Sequence, residues 1–152
     1  MSLHNLSQDL ISSLPYGSSF LFVHEIEFVN EDFIIGNYSF SGDEYFYRDH
    51  FYTMNILPGV ILLEMMGQIG MVTHLSFLTG AFKKPFTFYP ILSNLTAEFI
   101  DKAVPGEILR VKGVKKYFRN NTLKSDVFLY NKNDIILARL EGVVKCTMEN
   151  LE

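Results

Sequence analysis

The chain has 152 residues, 48% of them hydrophobic, with 14 Phe and 8 Tyr. That length fits one domain, residues 1–152, with a sizeable core, and the composition excludes a disordered chain. A formal net charge of −4 argues against a general nucleic-acid binder, and the single Cys146 excludes a disulfide framework or a cysteine-rich zinc site.

Near the start, Leu6, Leu10, Ile11 and Leu14 recur at helical spacing, with Asn5 or Ser7 as cap and Pro15 as the stop. No basic segment leads an apolar one here, so export is not expected and a cytoplasmic protein is. The stretches "SFLFVHEIEFVN" and "FIIGNYSF" are rich in β-branched and aromatic residues and flank a turn-like "NED", which predicts a hairpin. Next comes "SGDEYFYRDHFYTMN", an aromatic loop longer than a turn needs, and therefore suspect as functional.

Pro58 in a first turn and Gly80 as a stop predict one long helix between them. Residues 56 to 78 approach the length of a membrane span, about 20 residues, but Glu64, Gln68 and His74 interrupt the run, so a buried helix is expected and membrane insertion is not. Gly67 and Gly70 each cost such a helix about 1 kcal/mol relative to alanine, which makes sense where a sheet or a ligand approaches closely. The remainder reads as strands: "ILSNLTAEFID", "EILRVKGVKKYF", "LKSDVFLYN" and "DIILARLEGVVKCT", separated by "VPGE", "RNN" and "NKND". One long helix against an antiparallel sheet is an α+β arrangement.

Glu64 is the anomaly, a carboxylate in the apolar run "LLEMMGQ", since glutamate is rarely buried unless something satisfies it. That run, with "HF" at 50–51 and "LPGV" at 57–60, resembles the β-hydroxyacyl-acyl carrier protein dehydratases. The family pattern has a histidine fourteen residues before a glutamate, Pro-Gly between them and a glutamine four beyond; His50, Pro58, Gly59, Glu64 and Gln68 match it without a gap. "SLPYGSSFLFVHEI" and "AEFIDKAVPGEIL" are similar to the family's opening and strand-turn motifs, so nearly the whole chain is covered. There are departures. "DHFYTMN" replaces the family's Gly-His-Phe-Pro-Gly-x-Pro, and Tyr16-Gly17 and His24 stand where the opening motif carries His-Arg and Asp, which points to a specialised relative. Glutamate at 64, rather than aspartate, resembles the simple dehydratases more than the dehydratase-isomerases.

The resemblance implies a hot-dog fold, a long central helix wrapped by an antiparallel sheet and dimerising, and dehydration of 3-hydroxyacyl thioesters on acyl carrier protein. His50 would be the base, since a histidine accepts a proton at neutral pH. Glu64 would be the acid, because desolvation in an apolar tunnel keeps a carboxylic acid protonated. Free N–H groups of Gly59 and Val60 at the helix start would stabilise the thioester oxygen. Gln68, one turn from Glu64, would hold that side chain or a water in place. No metal or organic cofactor is needed. In the family the histidine and glutamate of one site come from different subunits, implying a homodimer or a trimer of dimers.

Phe51, Phe88 and Tyr89 fall in loops flanking the helix, and the resemblance implies that they line or gate the acyl tunnel, against a plain aromatic satellite core. Lys83, Lys84, Lys112, Lys115, Lys116 and Arg119 would dock the acidic carrier protein, or simply form a solvated face. His24 and His74 read as satisfied structural residues, His4 as part of a frayed terminus and Cys146 as a small apolar strand residue. Two other functions fit the same residues: a hot-dog thioesterase in which Glu64 activates water, and a non-catalytic module binding acyl chains or carrier protein.

Overall fold

The computed structural model describes residues 1–49, 56–84 and 86–150. Helix α1 (Leu3–Ser12) is followed by strands β1 (Glu25–Val29) and β2 (Phe33–Tyr38) and a short helix α2 (Tyr45–Arg48). The long helix comes next, and then strands β3 (Phe86–Phe99), β4 (Leu109–Arg119), β5 (Thr122–Tyr130) and β6 (Ile136–Asn150). The strands form one antiparallel sheet in the order β1-β2-β4-β5-β6-β3, with the long helix against one face, which is the expected α+β hot-dog arrangement. Strand β5 shows the period of two such a sheet demands, burying Leu123, Ser125, Val127 and Leu129.

The long helix runs from Gly59, behind Pro58 at φ −61°, to Thr79, where Gly80 at φ +73° ends it in the left-handed conformation. It is not uniform. Segment α3 (Gly59–Gly67) passes into a single wide π-turn, Gln68–Val72, before α4 (Thr73–Thr79) resumes. The Gln68 carbonyl accepts from the Thr73 N–H, and the Thr73 hydroxyl donates to it as well at 2.6 Å. The helix has the length and apolarity of a membrane span, yet two-thirds of it is buried, as in a core helix (67%).

Glycines explain where the wide turn sits. A Cβ at Gly36 on β2 would stand 2.7 Å from Ile69, one at Gly142 on β6 would stand 3.0 Å from Met71, and one at Gly113 on β4 would overlap the Gly70 carbonyl oxygen. In return, a Cβ at Gly70 would lie 2.6 Å from Val127 on β5. Three successive residues of the turn therefore rest in a trough of strand glycines: Gly70 meets Gly113 backbone to backbone, while Ile69 and Met71 lay their side chains over Gly36 and Gly142. Gly70 answers to the approach of a sheet, as its helix cost implied; Gly67 does not, since a Cβ there meets nothing within 4 Å among the described residues.

Local differences from the sequence reading have identifiable causes. Helix α1 starts earlier, because Ser2 caps it by accepting from the Asn5 N–H, while Ser7 is buried and accepts from the Ile26 N–H at 2.9 Å. Strand β1 is shorter than its β-rich sequence, because the Phe22 N–H donates to the side chain of Gln68 instead of a neighbouring strand. Strand β3 begins at Phe86, so Phe88 and Tyr89 belong to a strand rather than to a loop. His74 is fully buried and donates from Nε2 to the Asn30 carbonyl at 2.8 Å; burial lowers its pKa, and its Nδ1 has no protein partner. His24 stands just before β1, against the ring of Tyr38.

Gly113→Ala tests the trough: it drives a methyl group into backbone that cannot step aside, and is expected to cost about 3 kcal/mol or to prevent folding. Gly17→Ala, with open space around it, is expected to stay within about 0.5 kcal/mol of the original. Urea unfolding of both variants checks this, and equal stabilities would contradict the account.

Candidate active site

The helix rests on β2, β4 and β5, and a cavity of about 430 Å³ opens toward β6 and β3. Its helical wall is one stripe at helical spacing: Val60, Leu63, Glu64, Gly67, Gln68, Met71 and Val72. Pro90, Leu92 and Leu95 of β3 and Val144 of β6 face them, and Tyr16, between α1 and β1, closes one side. Glu64 is the one acidic or basic residue among the described lining residues.

Gln68 is fully buried and all its polar atoms are engaged. Its Oε1 accepts from the Phe22 N–H at 2.8 Å, and its Nε2 donates to the Phe20 carbonyl at 2.9 Å and to Glu64 Oε1 at 3.0 Å. One amide thus joins the helix, the segment entering β1 and the cavity carboxyl. Tyr16 lies near enough for the Glu64 charge to act on its hydroxyl, which that charge and, more strongly, burial push well above the ordinary tyrosine range.

At the helix start, the Pro58 carbonyl accepts from the N–H groups of Ile61 and Leu62, both at 3.1 Å, and the first-turn N–H groups of Gly59 and Val60 lie outside these bonds. Val60 is 73% exposed and stands at the open end of the cavity. Gly59 instead packs against the Phe99 ring and borders a neighbouring recess with Leu57, Phe99 and Ile100.

The structure thus brings Val60, Glu64 and Gln68 to one cavity and places Gly59 beside it. His50 and Phe51 lie outside the described residues. Phe88 and Tyr89 do not line this cavity within the single chain. Phe88 is 3% exposed and packs in the core, Tyr89 is 47% exposed, and neither is among the described lining residues. The two alternate across β3, so one points inward to the core and the other outward. The lining residues not singled out from sequence, Tyr16, Leu63, Met71 and the β3 side chains, carry no chemical signal of their own. Tyr16 did stand at a departure from the family's opening motif.

An aromatic chain leads away from this wall. Tyr16 meets Phe20, Phe20 meets Phe22, and Phe22 packs on both Phe40 and Phe46, with ring centroids 5.1 to 6.2 Å apart. Phe46 belongs to α2, so the chain reaches the segment that leads toward His50. Among the basic residues, Lys116 pairs with Glu141 at 2.6 Å and with Asp126, while Lys83 and Lys112 lie over the rings of Phe82 and Phe33. Among the described residues, no group of three His, Cys, Asp or Glu side chains stands close enough to hold a metal ion.

A family model described as a FabA-like domain matches residues 14–138. The chain belongs to that family. Within the FabA-like family it is a divergent member. It is 28% identical over 106 residues to a 3-hydroxyacyl-[acyl-carrier-protein] dehydratase FabZ of Clostridium kluyveri, covering 69% of this chain and 71% of the relative. It is 35% identical over 99 residues to the bifunctional enzyme LpxC/FabZ of Porphyromonas gingivalis, covering 65% of this chain but spanning only 21% of that longer protein. Among solved structures, a thioesterase from Haemophilus influenzae superposes with a TM-score of 0.67 at 14% identity, over 100% of this chain and 94% of the other. Zebra fish thioesterase superfamily member 2 gives 0.68 at 13% identity, over 94% and 96%. Those two likenesses establish the hot-dog fold.

Gln68→Leu keeps the side-chain volume but leaves the Phe22 N–H and Phe20 carbonyl without their partner. It is expected to destabilise the protein by about 2–4 kcal/mol. Urea unfolding measures this, and a cost near zero would show that the amide is not the tie between helix and β1.

Proposed function

We propose that this protein dehydrates 3-hydroxyacyl thioesters carried on acyl carrier protein to trans-2-enoyl thioesters, as a soluble cytoplasmic enzyme. The observation that carries the reading is Glu64, a lone carboxyl on the wall of an otherwise largely apolar cavity, held by Gln68 and one turn from an uncapped helix start. Its membership of the FabA-like family and its likeness to FabZ dehydratases support the same chemistry.

In this mechanism His50 takes the proton from C2 while Glu64 gives a proton to the C3 hydroxyl. The C3–O bond breaks, water leaves and a double bond forms between C2 and C3. The thioester oxygen gathers negative charge on the way, and N–H groups at the positive end of the helix, those of Gly59 and Val60, stabilise it. Tyr16 and the apolar walls exclude bulk water, which strengthens each of these interactions.

The acid and the base of one site come from two subunits. Strand β3 supports this assembly: it is an edge of the sheet, paired with β6 alone among the described strands, and it exposes Ile91, Leu92, Leu95 and Phe99. An apolar, unpaired edge of that length calls for a cover. A second copy supplies one, and the cavity opens on that same side.

Hydrolysis of an acyl thioester is the second reading. The carboxyl held by Gln68 is also placed to take a proton from water, and the two solved neighbours described above are named thioesterases.

Incubation with 3-hydroxyacyl-acyl carrier protein separates the two. Dehydration gives enoyl absorbance, hydrolysis gives free thiol, and binding without either product marks a non-catalytic module. For the dehydratase, His50→Ala and Glu64→Gln are each expected to lower turnover by about 10²-fold or more, the scale of general acid–base catalysis. Retention of full activity by both variants would sink the assignment.

A further inference from the structure

The long helix carries three glycines, and the chain itself explains two of them. A Cβ at Gly59 would stand 2.8 Å from the Phe99 ring, and one at Gly70 would stand 2.6 Å from Val127. Gly67 is different. Its backbone is ordinary right-handed helix at φ −65° and ψ −44°, where any residue fits, and a Cβ there would meet nothing within 4 Å. Glycine inside a helix lowers its stability relative to alanine, so no contact among the described residues accounts for this choice. The space above Gly67 belongs to the cavity, beside Glu64 and Gln68.

That cavity has two unlike ends. Val60 at one end is 73% exposed, whereas Met71 and Val72 at the other are 1% and 7% exposed. A ligand with a polar, carrier-bearing end and a hydrocarbon end lies with its hydrocarbon toward Met71, where water is excluded. Gly67 stands between Glu64 and that closed end, three residues or about 4.5 Å further along the helix axis.

We propose that Gly67 is a specificity-determining residue: its bare backbone is the floor over which the acyl chain passes, and it sets the longest chain the cavity accepts. The inference rests on the reading that C3 of a 3-hydroxyacyl thioester sits at Glu64. At roughly 1.25 Å of advance per carbon, three to four further bonds reach Gly67, so carbons from about C6 onward cross it. Short chains end before it and long chains depend on it.

The test compares the full-length protein with Gly67→Ala and Gly67→Leu in three measurements. Calorimetric binding of saturated acyl-pantetheine thioesters of four and ten carbons needs no turnover. Enoyl formation from the 3-hydroxy compounds of the same lengths reads the reaction, and light scattering reads the assembly mass. The expected result is that Gly67→Leu weakens ten-carbon binding at least tenfold more than four-carbon binding, with Gly67→Ala between and the mass unchanged. Equal weakening of both lengths, or no change in either, overturns the proposal. A fall in assembly mass overturns it too, because the space would then belong to a second copy. Length-selective binding with no enoyl product would sink the dehydratase reading and leave the role of Gly67 standing. A wild-type protein that binds neither thioester would overturn both.

Discussion

The contact between the π-turn and the glycines of the sheet governs the rest of this molecule. Ile69, Gly70 and Met71 sit over Gly36, Gly113 and Gly142, and Gly70 itself gives way to Val127. Where Gly70 meets Gly113, backbone lies on backbone and admits no adjustment of the kind the flanking Ile69 and Met71 side chains allow. The helix is thereby fixed in both rotation and position along its axis. With that register set, Leu62, Met65, Met66 and Ile69 face the core, and the stripe through Glu64 and Gly67 falls beside the cavity. A slip of one residue would turn the helix by about 100° and bury the carboxyl in the core.

Fold and site also share a residue. Gln68 opens the π-turn, ends the stretch available to β1 by engaging the backbone at Phe20 and Phe22, and holds Glu64. A buried amide with every polar atom engaged costs little to keep and much to lose, since its removal strands the groups it satisfied. The aromatic chain from Tyr16 through Phe22 to Phe46 continues the tie toward the segment before His50. The cavity wall is therefore held from the core side, while the exposed apolar face of β3 leaves it open on the other.

Much of this was legible in the sequence, because it rests on local chemistry. The helix announced its ends through Pro58 and Gly80, and the strands after it through their turns. Glu64 and Gln68 were legible as a pair because four residues is one helical turn. What escaped depends on contacts distant in sequence. The π-turn follows from glycines on three separate strands, none of which marks the helix by itself. The truncation of β1 follows from a side chain 46 residues away. Asn5 or Ser7 was read as the cap, whereas the Ser7 hydroxyl serves a strand and Ser2 caps the helix by accepting from the Asn5 N–H. Phe88 and Tyr89 were read as loop aromatics near the tunnel. Pairing with β6 makes them alternate faces of a strand instead, a distinction that aromatic content cannot carry.

At the centre of the functional account is a reaction site assembled from two copies, with the imidazole of His50 given by one and the carboxyl of Glu64 by the other. Mixing the two inactive variants, His50→Ala and Glu64→Gln, and allowing subunits to exchange tests this most directly. Half of the resulting dimers would be mixed, and each of these would hold one site with both groups intact. Dehydration should therefore return to about a quarter of the unaltered activity, as two-fold symmetry requires. A mixture as inactive as either variant alone, with exchange confirmed, would contradict the shared site and the account built on it.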